Sequence, residues 1–233
     1  MLSFVIPAHD EEALIGRTIA AIHMSAQAVP FEIIVVDDAS TDRTAEIATA
    51  AGARVVRVNV RQIGMARNAG AAVAKGDTLV FVDADTFITP AHVQGVVAAI
   101  ARGAVGGGAA ARFDDPVPWW AQATLTATAW VFRRVKLAAG SFLFCTKSAF
   151  EATGGFDPAL YAAEEIALSR ALKRLRRGSF VVLREPVLTS GRKARTYSNR
   201  EIARTWGGLL IRPWSVRHRD RLDMWYGPRR KDL

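Results

Sequence analysis

One cysteine, Cys145, is all that this 233-residue sequence contains. An intramolecular disulfide framework is thereby excluded, and a reducing compartment suits the chain. Cys145 follows the apolar run Phe142-Leu143-Phe144, where a buried, inert thiol is expected. Long apolar runs are missing too. The best candidate for a membrane span, Ala121 to Phe132, falls short of the roughly 18 residues a bilayer requires and ends in Arg133-Arg134. The opening Leu2-Ser3-Phe4-Val5-Ile6 is too short for a signal-peptide core, lacks a basic flank and runs into Asp10-Glu11-Glu12. A cytoplasmic location is therefore expected. There is no internal repeat, low-complexity linker or second core, so one domain over 1–233 is expected.

Acidic residues are scarce in one region only. Residues 170–233 carry 18 Lys+Arg against 5 Asp+Glu, a balance of +13, whereas residues 1–169 carry 13 against 17, a balance of −4. The acids capable of chemistry lie first, and a cationic surface follows. That asymmetry points to an anionic partner. No zinc-finger, RRM or KH motif supports nucleic acid, which leaves phosphate groups or an anionic membrane. Trp206, Trp214, Trp225 and Tyr226 are interleaved with the basic residues, a composition suited to peripheral contact with the inner face of a membrane.

What is present is alternation. Apolar runs at Ser3–Pro7, Glu32–Asp37, Val55–Val60 and Thr78–Asp83 read as strands. Between them lie helical patterns from Glu11, with Ile15, Ile19 and Ile22 in phase, from a Ser40 or Thr41 cap to about Ala51, and over Ile63–Ala74. Thr89-Pro90 opens another helix. Later come a strand near Val105–Phe113 interrupted by Gly106-Gly107-Gly108, a helix over Pro116–Arg134, a strand at Gly140–Thr146 and a helix from Ala162 to Arg177. A capping box at Ser198-Asn199-Arg200-Glu201 predicts a last helix towards Ile211. The pattern predicts an α/β fold with a mostly parallel sheet and helices on both faces. Ligands then belong at the carboxyl ends of the strands.

The chemistry-bearing residues collect at those ends. Asp83-Ala84-Asp85 closes the apolar strand Thr78–Val82. Two carboxylates at i and i+2 can leave the sheet together, and hard cations such as Mg²⁺ or Mn²⁺ complete a small carboxylate set with water and phosphate oxygens. Asp37-Asp38-Ala39-Ser40-Thr41-Asp42 is richer in acids than a helix cap requires, which leaves Asp38 to accept a hydrogen bond from a base. Ile6-Pro7-Ala8-His9-Asp10-Glu11-Glu12 is either an acidic helix start or the wall of a nucleotide pocket. Arg67-Asn68-Ala69-Gly70 lies on a small-residue helix that can approach the sheet closely, and either polar residue can brace the pocket. Glu164-Glu165 opens an amphipathic helix and can supply a general base. Arg192, Lys193 and Arg195 can meet donor phosphate or a phosphorylated acceptor.

The ordered set Ile-Pro-x-x-x-Glu-Glu, Val-Val-Asp-Asp-x-Ser-x-Asp, Ala-Arg-Asn-x-Gly, Asp-x-Asp, Gly-Gly-Phe-Asp and a late acidic pair resembles the family 2 glycosyltransferases, from Leu2 to about Leu175. The resemblance implies the GT-A (Rossmann-like) fold and an inverting transfer from a nucleotide-sugar donor, a UDP-sugar by expectation, with Mn²⁺ or Mg²⁺ as cofactor. It implies that Pro7 and His9 border the base, with Glu11 in the same turn, that Asp38 binds the base with Gln62 nearby, and that Asp83 meets the ribose. Asp85 would hold the metal on the diphosphate, with Asp83 beside it. The family's late pair is commonly Glu-Asp with the second residue as base; here that residue is Glu165, and the choice between Glu164 and Glu165 stays open. Residues 1–110 would form the nucleotide-sugar half, 111–190 the acceptor half and 191–233 a basic extension. No Gln-x-x-Arg-Trp follows the acidic pair, which argues against a processive enzyme. The acceptor is unspecified, a lipid-linked one included. A sugar-phosphate nucleotidyltransferase is the enzymatic alternative, but Ile6-Pro7-Ala8-His9 lacks the Gly-rich, Arg-bearing loop of that class. A non-enzymatic anion- or nucleic-acid-binding protein is the other.

Overall fold

A computed structural model describes residues 1–114, 122–123, 126–127, 130, 134–135, 137–138, 140–175, 179–192, 196–197, 201, 213–222 and 226–227. The first strands are β1 (Leu2–Ala8), β2 (Phe31–Asp38), β3 (Arg54–Val58) and β4 (Thr78–Val82). They alternate with the helices α1 (Ile15–Ser25), α2 (Thr44–Ala50) and α3 (Ile63–Val73). A short β5 (Thr86–Phe87) and α4 (Pro90–Ala101) follow, then β6 (Gly106–Gly108), β7 (Ala111–Phe113) and β8 (Phe142–Thr146). The chain continues through α5 (Lys147–Thr153), α6 (Glu164–Leu175), β9 (Phe180–Val182) and β10 (Val187–Thr189).

Seven strands form the main sheet in the order β3-β2-β1-β4-β8-β6-β9, and β5-β10-β7 form a smaller one. Only β8 runs antiparallel to its neighbours, β4 and β6. The sheet is therefore mostly parallel, as expected. Its two faces follow the period-two alternation of strands. Phe4, Ile6, Val80 and Val82 pack with Ile15, Ile19 and Ile22 of α1 and with Val93 and Val96 of α4. Val5, Val36, Leu79 and Phe81 face Ala66 and Ala71 of α3, Phe150 of α5, and Leu168 and Leu172 of α6. Cys145 lies buried in that second layer, where burial pushes its thiol up.

Three local expectations are corrected. First, α1 begins at Ile15 rather than Glu11: the Glu11 carbonyl accepts from the Leu14 and Ile15 N–H groups in a preparatory turn. Second, neither Ser40 nor Thr41 caps α2. Both bind Asp10, Ser40 Oγ accepting its N–H and Thr41 donating to its carboxylate, while Asp42 accepts the Thr44 N–H. Third, the three glycines do not interrupt a strand but form β6. A Cβ at Gly107 would collide with the Val181 carbonyl and the Phe144 ring. Thr89-Pro90 does open α4, with His92 Nδ1 accepting the Thr89 N–H at 3.0 Å. The helices expected over Pro116–Arg134 and beyond Ser198 fall largely outside the described residues.

Candidate active site

The carboxyl ends of β1, β2 and β4 and the N-termini of α3 and α6 converge at one edge of the sheet. The backbone there is unusually bent. Asp10, Ala39, Arg61 and Ala163 are the non-glycine residues with positive φ among those described, at 50°, 57°, 49° and 61°. Such conformations cost about 1–3 kcal/mol each and persist where the surroundings over-determine them. All four stand in loops leading into this edge.

Asp38, at the last position of β2, is 6 % exposed. Its Oδ1 accepts the Val60 and Arg61 N–H groups at 2.8 Å each, and its Oδ2 accepts that of Gln62 at 3.0 Å. The sequence suggested a carboxylate left over for a base. In the structure it holds the β3–α3 loop. Gln62, the N-cap residue of α3, turns its amide away to donate to the Pro158 and Leu160 carbonyls, both at 2.8 Å. His9 Nδ1 lies 2.9 Å from the Asp38 carbonyl oxygen, and the Arg61 guanidinium rests against the same imidazole. Pro7 pairs with Val36 in the β1–β2 register, one residue short of the strand end. Arg192 Nη2 donates to both carboxylate oxygens of Glu11 at 2.8 Å, which ties the first turn to the segment after β10. Lys193 and Arg195 lie outside the described residues.

Asp83 and Asp85 stand just past β4, in the turn closed by the Thr86 N–H on the Asp83 carbonyl at 3.0 Å. Because β10 pairs with β5 through Thr189 and Thr86, the chain after β10 runs beside this turn. Ser190 N–H donates to the Asp85 carbonyl at 3.0 Å, and Thr189 Oγ1 lies 3.4 Å from its carboxylate. The donor set of the turn is all oxygen, the chemistry a hard divalent cation takes, with phosphate and water left to complete the shell. Asp83 and Asp85 therefore fit the implied metal as a two-carboxylate site, and no group of three or more His, Cys, Asp or Glu able to hold an ion occurs among the described residues.

Arg67 joins this turn to the late acidic pair. Gly70 permits it: a Cβ there would collide with Val5 Cγ1 and with Val36 Cγ2 at 2.8 Å, so only glycine lets α3 lie this close to the sheet. The Arg67 side chain is 3 % exposed and spans three carboxylates, Asp83 at 2.7 Å, Glu164 at 3.0 Å and Glu165 at 2.9 Å. Burial alone would push its guanidinium down, but Glu165, Asp83 and Glu164 together raise it above its ordinary value. Three carboxylates on one cation leave two negative charges uncompensated when all are ionised, which a buried site resists. Glu164, the more buried of the pair, is pushed up to about 8, first by burial and then by the charge of Glu165. The neighbouring Asn68 accepts the Phe156 N–H and donates to its carbonyl, 2.9 Å each, so Arg67 and Asn68 together tie α3 to Phe156 and the Glu164-Glu165 pair.

Two residues escaped the sequence reading. Arg61 precedes Gln62 without any motif to mark it. Tyr226 was grouped with surface aromatics, but its hydroxyl donates to the Tyr161 carbonyl at 2.8 Å and its ring meets that of Tyr161 edge-on at 5.6 Å. Trp214, by contrast, is 58 % exposed, and Trp206 and Trp225 lie outside the described residues.

The model of "Glycosyl transferase family 2" matches residues 3–154. Validoxylamine A glucosyltransferase of Streptomyces hygroscopicus subsp. jinggangensis is 35 % identical over 106 residues, 42 % of this chain and 25 % of that protein. An undecaprenyl-phosphate 4-deoxy-4-formamido-L-arabinose transferase of Pseudomonas aeruginosa is 38 % identical over 133 residues, 52 % of this chain and 39 % of that protein. The chain thus spans only about a quarter to two fifths of such relatives. Among solved structures, glucosyl-3-phosphoglycerate synthase from Mycobacterium tuberculosis in complex with Mn²⁺, UDP and glucosyl-3-phosphoglycerate superposes with a TM-score of 0.64 at 24 % identity, over 99 % of this chain and 81 % of that one. Residues 1–349 of S. aureus TarS in complex with UDP-GlcNAc give 0.64 at 19 %, over 81 % and 58 %. At those identities the structures establish the shared GT-A architecture alone. The family model covers well over half of the sequence, and the chain belongs to glycosyl transferase family 2.

Proposed function

We propose that this chain is an inverting glycosyltransferase that moves a sugar from a nucleotide-sugar, a UDP-sugar in the first instance, to an acceptor hydroxyl or phosphate. The observation that carries the reading is Arg67, whose one guanidinium brings the Asp-x-Asp turn and the late glutamates to a single site. Asp85, with Asp83, would hold a Mn²⁺ or Mg²⁺ whose charge offsets that of the departing diphosphate. His9, Pro7, Glu11 and the loop organised by Asp38 and Gln62 line the side where the nucleotide belongs, and Arg192 stands beside them. Glu165 takes the proton from the acceptor oxygen. That oxygen's electron pair then attacks the anomeric carbon while the bond to the diphosphate breaks on the opposite face, and the nucleoside diphosphate leaves with the bonding pair. One displacement inverts the centre. Glu165 is favoured over Glu164 because its side chain is 13 % exposed against 4 %, and because Glu164 holds its own proton well into the neutral range.

A lipid-linked acceptor at the cytoplasmic face of a membrane is the second part of the proposal. The undecaprenyl-phosphate transferase relatives support it, as do the exposed Trp214 and the exposed Arg217 and Arg221 close to it in the chain. No described helix is long and apolar enough to cross a membrane, so attachment would be peripheral. A thermal-shift panel of UDP-, GDP- and dTDP-sugars with and without Mn²⁺ tests the first part; no stabilisation by any of them overturns it. Sedimentation with phosphatidylglycerol vesicles at low and high salt tests the second, and no binding at low salt ends it.

A further inference from the structure

Residues 157–163 lead into Glu164 and Glu165, and they are held from two sides. From α3, the Gln62 amide binds the carbonyls of Pro158 and Leu160. From the basic C-terminal region, the Val216 carbonyl accepts the Tyr161 N–H at 2.7 Å and the Tyr226 hydroxyl donates to the Tyr161 carbonyl at 2.8 Å. The backbone N–H and carbonyl of Tyr161 are thus both bound by residues 55 and 65 positions further along the chain. The same hydroxyl lies 3.5 Å from the Ile63 N–H, at the first turn of α3, where helical N–H groups have no partner of their own. Arg67 stands one turn further along that helix. Two residues past Tyr161, Ala163 adopts a φ of 61°, a conformation its own side chain does not favour, and α6 begins.

We infer that Tyr226 is a positioning residue for the catalytic pair: its hydroxyl fixes the α3 N-terminus, which carries Arg67, against the loop that delivers Glu164 and Glu165. Val216 and Tyr226 are on this account part of the active-site framework. Several observations bear on it independently. The Tyr226 ring is wedged between the Tyr161 ring and the Arg219 guanidinium, 5.6 Å from each, so the hydroxyl is aimed by packing. Burial, with the Glu164 charge next, raises that hydroxyl, which marks how close it stands to the pair. A base must sit within hydrogen-bond reach of the proton it takes, and a displacement of about 1 Å can cost up to about 10²-fold in rate.

The inference rests on the proposed function for its catalytic consequence but not for its geometry, and the test separates the two. Tyr226→Phe keeps both ring contacts and deletes only the hydroxyl. Hydrogen exchange of the full chain should show faster exchange in residues 158–165 with the central strands unchanged; unaltered exchange there overturns the clamp. Turnover should fall about 10- to 10²-fold while nucleotide-sugar affinity stays near wild type. A parallel loss of affinity and turnover, tracking a drop in Tm, would make Tyr226 merely structural. Combined with Glu165→Gln, the tyrosine change should add little, because both act on one proton transfer, and full additivity overturns the positioning role. Should the wild type transfer no sugar, the functional reading falls and exchange alone decides the clamp.

Discussion

Asp38 and Glu164 are both buried carboxylates at the same edge of the sheet, yet they are held in opposite ways. Asp38 is surrounded by backbone N–H groups of residues 60–62, neutral donors supplied by a loop that bends through Arg61 at φ 49° to reach it. Glu164 has instead a share of one guanidinium, which it divides with Glu165 and Asp83. Amides solvate a charge without adding any, so the Asp38 side is a rigid fixture that asks nothing of its neighbours. The shared guanidinium makes Glu164, Glu165 and Asp83 answer to one another. A transferase needs both kinds of hold: a fixed frame for the nucleotide and a responsive one where protons and diphosphate charge move.

The largest expected effect is on the responsive side. Glu165→Gln keeps size and hydrogen bonding but removes the proposed proton acceptor, so turnover should fall roughly 10²–10⁴-fold with donor affinity near wild type. Steady-state kinetics beside a direct donor titration checks this; if Glu164→Gln alone gives the selective loss, the pair has been read in reverse. Arg67→Met comes next. It leaves three carboxylates facing one another without a cation, and breaking a buried pair of this kind costs about 3–5 kcal/mol of stability. Asp38→Asn, by contrast, keeps an acceptor oxygen for the loop and should cost about 1–3 kcal/mol. Urea unfolding of the two variants measures the contrast directly, and equal losses would break the distinction between the frames. Of similar size is the metal-linked gain. A UDP-sugar at a hundredfold excess over Kd should add about 2.7 kcal/mol, much less with chelator. Asp85→Asn should remove the metal-dependent part of that shift, and indifference to chelator would refute the Asp-x-Asp assignment.

The same contrast explains what could be read in advance. Strand ends bearing Asp38, Asp83 and Asp85 are legible because apolar runs and acidic punctuation are local signals. The second acidic cluster was legible as a pair but not as a charge-sharing unit, since Arg67 is about a hundred residues away in sequence and its Ala-Arg-Asn-x-Gly motif does not say which carboxylates it meets. Asp42, not Ser40 or Thr41, holds the start of α2 because the hydroxyls are drawn to Asp10 across the loop. Gly106–Gly108 looked like a break because glycine disfavours strands; here crowding by Phe144 and Val181 selects it. Tyr226 left no trace at all. One hydroxyl reaching Tyr161 and Ile63 from near the chain's end has no periodicity to betray it.

The pH dependence of stability is the sharpest test of the shared guanidinium. Glu164 is pushed up to about 8 in the folded protein, by burial first and Glu165 second, from an ordinary 4.5. Between those two values the folded state keeps a proton that the unfolded chain has released. Stability from this group is therefore fully present below about pH 4.5 and drains away as pH rises towards 8, with a slope of at most about 1.4 kcal/mol per pH unit. Glu164→Gln keeps the neutral, hydrogen-bonding form at every pH and should flatten that part of the curve. Wild type and variant would then converge in acid and separate in favour of the variant near pH 8. The Asp38 side predicts no such divergence for a substitution on α1 or α4, far from Arg67, so a matched surface variant serves as the control. If urea unfolding across pH 5–8 gives parallel curves for wild type and Glu164→Gln, Glu164 is already ionised and Arg67 serves it alone. The responsive frame would then be a second fixture like Asp38.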